Sequence, residues 1–364
     1  MNIILVGTGT AGHVYPAVAL AEELIKRGHE INFITSEDGV ENSLLADLKL
    51  PLHTLPSKPF FRVNFFDRLM AMFSFFGCVL LARRKLKLIN PNLVLGFGGH
   101  VSAASIIAAR SLNISTAIHE ANALSGFGNR MVKKTVEKIY LGKLAEASFN
   151  NAKVTKIDHV KHVGFPIRTT LYKNNNKSTF DQKNIYLLVL GGSNGADFLN
   201  KNIALLVEKI RSRGITLEVT HQAGEGGVEV AQASYKDLDQ KVNVVGYTEN
   251  IGELYKKADF VISSAGAGTI AELCTWGIPC FLIPLAEASE NHQEENAREF
   301  TRLIDLSDQL WLREKDWELE IVADRLQEIL LNHNNYEKLS SSMLNIAMPN
   351  ATVDMVDDME SVFN

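Results

Sequence analysis

Ile3-Ile4-Leu5-Val6-Gly7-Thr8-Gly9-Thr10-Ala11-Gly12-His13 stands at the head of the chain, and its reading decides the fold. A short apolar run, long enough for one strand, gives way to a glycine-rich turn. Beyond the turn, Val14, Val18, Ala21 and Ile25 recur at helical spacing, and Gly28 after Lys26-Arg27 is a natural helix stop. A strand, a glycine turn and a helix N-terminus form an anion site, because unpaired backbone N–H groups and the helix dipole face one point. Gly7-x-Gly9-x-x-Gly12 is also a dinucleotide fingerprint. That fingerprint wants an acid closing the second strand, to hold a ribose. Ile31 to Ile34 reads as that strand, but it ends in Thr35-Ser36 and Glu37 arrives late. The anion site stands, and the dinucleotide reading is weakened.

The chain has 364 residues, 46% of them hydrophobic, which is enough for a large core shared between two domains. A net charge of -5 supplies no global basic field, so nucleic acid is not an expected partner. Cys78, Cys274 and Cys280 are odd in number and form no C-x-x-C pair, which suits a reducing compartment and no structural zinc. Met1-Asn2 runs straight into the first strand and leaves no room for a secretory signal, so the expected location is cytoplasmic.

Residues 57 to 88 differ from their surroundings. Lys58, Arg62, Arg68, Arg83, Arg84, Lys85 and Lys87 face a single acid, Asp67, and Phe60, Phe61, Phe65, Phe66, Phe73, Phe75 and Phe76 are interleaved with them. The uncharged run from Leu69 to Ala82 is 14 residues, short of the roughly 20 that span a bilayer. One reading is an interfacial helix pressed on anionic lipid, where each basic residue adds about 1 kcal/mol. The other is a buried core helix with a solvated basic end.

Two further strand-to-loop junctions follow in the first half. Leu93-Val94-Leu95 leads into Gly96-Phe97-Gly98-Gly99-His100, and Ser115 to Ile118 leads into His119-Glu120-Ala121-Asn122. Alternating strands and helices imply a parallel sheet, with ligands beyond the carboxyl ends of its strands. His13, Gly98-Gly99, His119 and Asn122 would share that edge. A lone histidine is more often structural than catalytic, but two at neighbouring edge loops keep both readings open.

The second half repeats the plan. Val163-Gly164-Phe165-Pro166 reads as a hinge and 173 to 183 as a loop, before the strand Ile185 to Leu190 and the turn Gly191-Gly192-Ser193-Asn194-Gly195-Ala196. Strands at Thr216 to Thr220 and Val242 to Val245 end at His221-Gln222 and Gly246-Tyr247-Thr248. Phe260 to Ser263 runs into Ser264-Ala265-Gly266-Ala267-Gly268-Thr269, and the following helix carries Glu272. There the glycines expose N–H groups to a diphosphate. Glu272 could accept both hydroxyls of a ribose, or could be a surface acid favoured by the helix dipole. A last strand, Cys280 to Ile283, leads to the polar cluster Glu290 to Asn296. The expected fold class is α/β, with two Rossmann-like domains facing across a cleft.

These ordered motifs resemble those of glycosyltransferase family 28, over nearly the whole chain. Gly7 to His13 is similar to its first loop (G-G-T-G-G-H), Gly96 to Ser102 to its second, and His119 to Asn122 to its H-E-Q-N. Gly164 to Arg168 resembles its G-N-P-V-R hinge and Gly191 to Ala196 its G-G-S-Q-G-A, while Ser264 to Glu272 and His292 to Ala297 match its donor segments. The resemblance implies the GT-B fold. It places acceptor and membrane on an N-terminal domain, residues 1–163, and the UDP-sugar on a C-terminal one, 164–340, with a C-terminal helix at about 341–364 packing back on the first. It also implies transfer of N-acetylglucosamine from UDP-GlcNAc to a polyprenyl-pyrophosphate-linked acceptor, lipid I, in peptidoglycan assembly on the cytoplasmic face of the plasma membrane. An anionic membrane surface would be met through about Lys58 to Lys87.

Carried over position by position, Glu272 would hold the ribose, Thr248 the uracil, and Ser193 with Gly266, Ala267 and Thr269 the diphosphate. Arg168, Thr10 and Gly12 would also lie on the donor side, and His292 and Gln293 would read the sugar. Gly9, Gly98, Gly99, His100, Asn122 and Asn129 would line the acceptor side. Departures fall mainly in the first half: Thr8 and Ala11 replace glycines, His100 an aromatic, Ala121 an amide and Phe165 the hinge asparagine. Ser264 also replaces an arginine ahead of the donor loop.

The mechanism implied is inverting transfer, with His13 as the first candidate for general base and His119 the second. Helix N-termini and backbone donors would meet the leaving group without a metal or cofactor. Asp237-Leu238-Asp239 reads as a solvated helix end rather than a metal motif. The rivals are a relative acting on another acceptor, an NAD-dependent oxidoreductase and a silent sugar-nucleotide binder.

Overall fold

The computed structural model describes residues 1–8, 11–37, 50–56, 65–146, 149, 159–168, 171, 180–182, 184–192, 194–238, 241–248, 250–286, 291–305 and 310–364. It divides the chain into two compact units, 1–168 with 348–364, and 169–347.

In the first unit, strands β1 (Asn2–Val6), β2 (Glu30–Ser36), β3 (Leu52–Leu55), β4 (Leu93–Gly96), β5 (Ser115–Glu120), β6 (Lys138–Leu141) and β7 (Val160–His162) form one parallel sheet among the described residues. Its order is β3-β2-β1-β4-β5-β6-β7, so the strand order reverses between β1 and β4. In such sheets that reversal opens a crevice at the carboxyl ends. Helices α1 (Ala11–Lys26), α2 (Phe65–Ile89), α3 (His100–Arg110) and α4 (Phe127–Val132) supply crossovers.

The unbroken apolar run of β1 follows from burial on both faces, as parallel sheets require. Ile3 and Leu5 pack in one cluster with Val14, Ala17, Leu20 and Leu24 of α1. Ile4 and Val6 pack in another with Cys78, Ala82 and Leu86 of α2 and Val101 of α3. Ile25, expected on the apolar face of α1, is exposed. The buried stripe runs through Ala17, Leu20, Ala21 and Leu24, and Ile25 lies past its edge in the last turn.

Helix α2 is core on one face and bare on the other. One face is core, through Cys78, Ala82 and Leu86, while Phe73 and Phe76 are 69% and 65% exposed, beside exposed Met72 and Leu80. Residues 57–64, including Lys58, Phe60, Phe61 and Arg62, lie outside the described residues. Among those described, no helix is long and apolar enough to cross a membrane.

The second unit carries β8 (Ile185–Leu190), β9 (Leu217–Gln222), β10 (Val242–Val245), β11 (Phe260–Ser263) and β12 (Cys280–Leu282) in a parallel sheet ordered β10-β9-β8-β11-β12. Strand β9 runs two residues past Thr220, because His221 and Gln222 stay in register with Val189 and Leu190. Its helices are α5 (Asp197–Ser212), α6 (Val228–Ser234), α7 (Ile251–Lys257), α8 (Ala267–Trp276), α9 (His292–Leu303), α10 (Leu319–Leu331) and α11 (His333–Ile346). Both units are Rossmann-like α/β folds.

The unit boundaries fall at 168/169 and 347/348 rather than at 163/164 and 340/341. Val163 and Gly164 both donate to Leu141 O at 3.0 Å, which keeps that segment on the first sheet. At the C-terminus two helices stand where one was expected. The first, α11, belongs to the second unit; α12 (Ala351–Phe363) belongs to the first. Met355, Val356 and Met359 of α12 enter the core beside Ile3 and Leu5, and Thr352 Oγ1 donates to Ile167 O at 2.9 Å.

Candidate active site

At the carboxyl edge of the first sheet, the turn after β1 places His13 in the first turn of α1. Its Nδ1 lies 2.8 Å from Thr8 O. A carbonyl only accepts, so Nδ1 carries the hydrogen and, in the neutral ring, Nε2 holds the lone pair. The loop after β4 is shaped around this ring. Gly98 and Gly99 have φ of +114° and +81°, a region that favours glycine. A Cβ on Gly98 would sit 2.8 Å from His13 Nε2, and one on Gly99 would sit 2.8 Å from Thr8 Oγ1. Gly7 likewise leaves room for His13 O, 2.8 Å from where its Cβ would be. These glycines make space for the chain's own histidine and threonine.

Gly99 N-caps α3 without a side-chain cap, so the first N–H groups of α3 gain no side-chain acceptor from it. His100 opens that helix half-buried, and burial lowers its pKa. Gly12 is exposed at the start of α1, whereas Gly9 and Thr10 lie outside the described residues.

After β5 the geometry separates the two histidines. His119 is 2% exposed. Its Nε2 donates to Gly164 O at 2.9 Å, and it sits between the rings of Phe97 and Phe165. Burial drives its pKa down to about 4, partly offset by that hydrogen bond, with His13 adding a small lowering. Such a ring is a neutral packing group, not an accessible base.

Next to it, Glu120 is a buried carboxylate surrounded by donors: Asn122 N at 3.0 Å, Asn122 Nδ2 at 3.3 Å, Gly126 N at 3.0 Å and Asn129 Nδ2 at 3.0 Å. Asn129 Nδ2 also reaches His119 O at 3.0 Å. Asn122 and Asn129 are therefore brought together by an acid that sequence reasoning passed over. In the sequence it is an acid closing a strand, with asparagines two and nine residues on; the fold is what turns those neighbours into its donors. Arg168 lies elsewhere in this unit, its guanidinium 5.4 Å from the Tyr15 ring centroid, and it opposes the burial that raises the pKa of Glu22.

The second sheet has a matching edge. Gly192 and Gly195, at φ +82° and +79°, bend the turn after β8; Ser193 lies outside the described residues. After β11, Gly266 N-caps α8 with no side-chain cap, so Ala267 and Thr269 sit where the helix presents its N–H groups. Gln293, at the start of α9, uses its Oε1 twice, accepting from Ala265 N and Leu285 N at 3.0 Å each. Only its Nε2 hydrogens remain for a ligand. Asn296 Nδ2 donates to Ala265 O at 3.1 Å, so the two amides hold the Ala265 peptide from both sides. Sequence spacing gives Asn296 no role; this pairing supplies one.

Glu272 lies in the second turn of α8 and accepts from Tyr255 Oη at 2.6 Å. Burial, and then Glu272 itself, push the Tyr255 hydroxyl well above its ordinary pKa, so it stays a donor. Thr248 Oγ1 accepts from Asn250 N at 3.2 Å, and His292 begins α9 half-buried. Asp237 follows α6 as a turn residue, and Asp239 lies outside the described residues.

With this geometry in hand, comparison with known proteins gives a consistent result. The N-terminal domain of glycosyltransferase family 28 matches residues 3–141, and the C-terminal domain of that family matches residues 186–352. A UDP-N-acetylglucosamine–N-acetylmuramyl-(pentapeptide) pyrophosphoryl-undecaprenol N-acetylglucosamine transferase of Pseudomonas fluorescens is 31% identical over 98% of this chain and 97% of its own. One of the same name from Finegoldia magna is 33% identical over 99% and 97%. The crystal structure of MurG from Acinetobacter baumannii superposes with a TM-score of 0.77 at 28% identity, covering 99% of each chain.

Proposed function

The chain belongs to glycosyltransferase family 28, and on that premise we propose that it transfers N-acetylglucosamine, with inversion, from UDP-GlcNAc to undecaprenyl-pyrophosphoryl-N-acetylmuramyl-pentapeptide. The product is the disaccharide lipid of peptidoglycan synthesis. The observation that carries the proposal is the near full-length match, across both units, to transferases of that name. The GT-B fold, two Rossmann-like units each with glycine turns at its carboxyl edge, supports it.

In this reading the acceptor hydroxyl attacks the anomeric carbon while UDP leaves from the opposite face, and His13 Nε2 takes the hydroxyl proton. The Thr8 carbonyl supports that role by holding the other ring nitrogen as donor. A positioned base of this kind is worth about 10²- to 10⁴-fold. His119 is assigned to packing, given its burial and its bond to Gly164. Asn122, arranged by Glu120, faces the acceptor with Gly9, Gly98, Gly99 and His100, whereas Asn129, expected there too, is 2% exposed and supports Glu120 and the His119 carbonyl from within.

On the second unit the leaving diphosphate meets the N-terminus of α8 at Gly266, Ala267 and Thr269, together with Ser193, without a metal or cofactor; on the first unit Thr10, Gly12 and Arg168 keep the donor role that the family resemblance implies. Preorganised N–H donors of this kind act where charge develops. Glu272 accepts the ribose hydroxyls, with Tyr255 holding one of its oxygens in place. Thr248 meets the uracil. His292 and Gln293 read the sugar, Gln293 through its N–H hydrogens alone.

The exposed apolar face of α2 with Arg84 and Lys87 is read as the contact with an anionic membrane, the protein remaining peripheral on its cytoplasmic face. Calorimetry tests the donor side: UDP-GlcNAc should bind and NAD should not. Binding of NAD without UDP-GlcNAc would sink the proposal.

A further inference from the structure

At the carboxyl edge of the second sheet, the loop after β9 touches the loops on both sides of it. Toward β10, Ala223 N donates to Val245 O at 2.9 Å and Gly224 N donates to Gly246 O at 3.0 Å. Toward β8, Gly195 and Gly224 approach backbone to backbone, both at positive φ. A Cβ on Gly224 would lie 2.4 Å from Gly195 N, and one on Gly195 would lie 2.2 Å from Ala223 O. Buried Asn200 of α5 adds a bond from Nδ2 to Ala223 O at 3.1 Å. Glu225 therefore extends from a backbone held on two sides. Its Oε1 accepts from Tyr247 N at 3.0 Å, and both carboxylate oxygens lie 2.8 Å from where a Gly246 Cβ would be.

We infer that Glu225 is a positioning residue for the nucleoside base of the donor, holding the Tyr247 amide so that the Gly246–Thr248 turn meets a pyrimidine in one orientation. The inference rests on the proposed assignment of the second unit to the UDP-sugar. A base edge read by backbone groups demands aligned peptide planes, because hydrogen bonds weaken steeply off-axis. A carboxylate accepting from a backbone N–H is a short, strong way to fix one plane. Glycine at 246 leaves the carboxylate its place; any side chain there would push it away. Glu225 is exposed at the start of a single 3-10 turn (Glu225–Gly227), so its loss leaves the core intact.

Since this residue touches the base side and not the reacting carbon, it acts on ground-state donor binding and not on the chemical step. The test is steady-state kinetics and UDP calorimetry on the full chain and on Glu225→Ala, Glu225→Gln, Gly246→Ala and the Glu225→Ala/Gly246→Ala double variant. Glu225→Ala and Gly246→Ala should each raise donor KM and the UDP Kd roughly three- to tenfold, with kcat and acceptor KM unchanged. Glu225→Gln keeps an amide oxygen to accept the N–H and should stay within about twofold. The double variant should be no worse than either single one, because both remove the same contact. Preference for UDP over CDP should narrow in step. Unchanged donor KM in Glu225→Ala, or a fall in kcat at constant KM, would overturn the inference. If the unaltered chain fails to bind UDP, the donor assignment itself fails. If it binds normally while Glu225→Ala is indifferent, only the role of Glu225 fails.

Discussion

The carbonyl oxygen of Thr8 lies 2.8 Å from Nδ1 of His13, and this contact decides which ring nitrogen can act as a base. Histidine's two nitrogens are not equivalent once one of them is committed. With Nδ1 donating to a backbone acceptor, Nε2 is the nitrogen that can take a proton. It faces Gly98, whose Cβ, if it had one, would lie 2.8 Å away.

Gly98→Ala is therefore expected to act like a catalytic lesion. The new Cβ would stand 2.8 Å from Nε2 and 3.1 Å from Cδ2 of His13, at a φ of +114°. The ring must turn, and the strained backbone costs of order 1–3 kcal/mol. kcat should fall by at least about 10²-fold while UDP affinity holds. Full turnover in this variant would show that the ring position is not catalytic.

Glu272 and Tyr255 should separate by size of effect. Glu272→Ala is expected to remove most of the UDP affinity, measured by calorimetry. Tyr255→Phe removes only the bond that holds Oε2 at 2.6 Å. Its cost should be nearer 0.5–1.5 kcal/mol, about 2- to 13-fold in Kd. Equal losses in the two variants, or none in Glu272→Ala, would contradict the ribose assignment.

Among the described residues, His119 in the first unit and His221 in the second are buried histidines, both lowered to about 4 by burial. A folded pKa of about 4 against 6.5 unfolded means that the unfolded state binds more protons between those values. Stability should therefore be full above about pH 6.5 and fall as pH drops toward 4, by on the order of 3 kcal/mol for each site. Denaturant titrations at pH 7 and pH 4.5 should show this acid-side loss. His119→Gln should reduce the pH dependence of the first unit, and His221→Gln that of the second. A flat profile in the unaltered chain would refute it.

Vesicle co-sedimentation checks the exposed face of α2. Phe73→Glu with Phe76→Glu places two acids where 69% and 65% exposed rings now stand. Binding to anionic vesicles should drop sharply, with UDP calorimetry unchanged. Undiminished vesicle binding would assign that face to something other than lipid.

The strand-turn-helix pattern around Gly7, and its repeats at Gly191 and Ser264, made both α/β units legible, because glycine turns and apolar runs are local signals. The histidines were legible as candidates but not as roles. Whether a ring is a base or a packing group depends on contacts such as Gly164 with His119, which lie 45 residues apart in sequence. Glu120 was overlooked for the same reason. Its importance lies in four donors gathered by a fold, and spacing alone does not distinguish that from a surface acid. Helix α2 resisted a single reading because its two faces are both apolar, one covered and one bare. The break between α11 and α12 is marked by Pro349-Asn350, a helix stop followed by an N-cap residue; what spacing does not show is that Met355 and Met359 dock into the first core.

The most direct measurement is transfer of radiolabelled N-acetylglucosamine from UDP-GlcNAc to lipid I in detergent, with the unaltered chain and His13→Ala side by side. The account predicts a labelled disaccharide lipid with inverted anomeric configuration, formed at a rate at least about 10²-fold lower in the variant. Intact UDP-GlcNAc binding without any transfer to lipid I would contradict the acceptor, and equal rates in the two proteins would contradict His13 as the base.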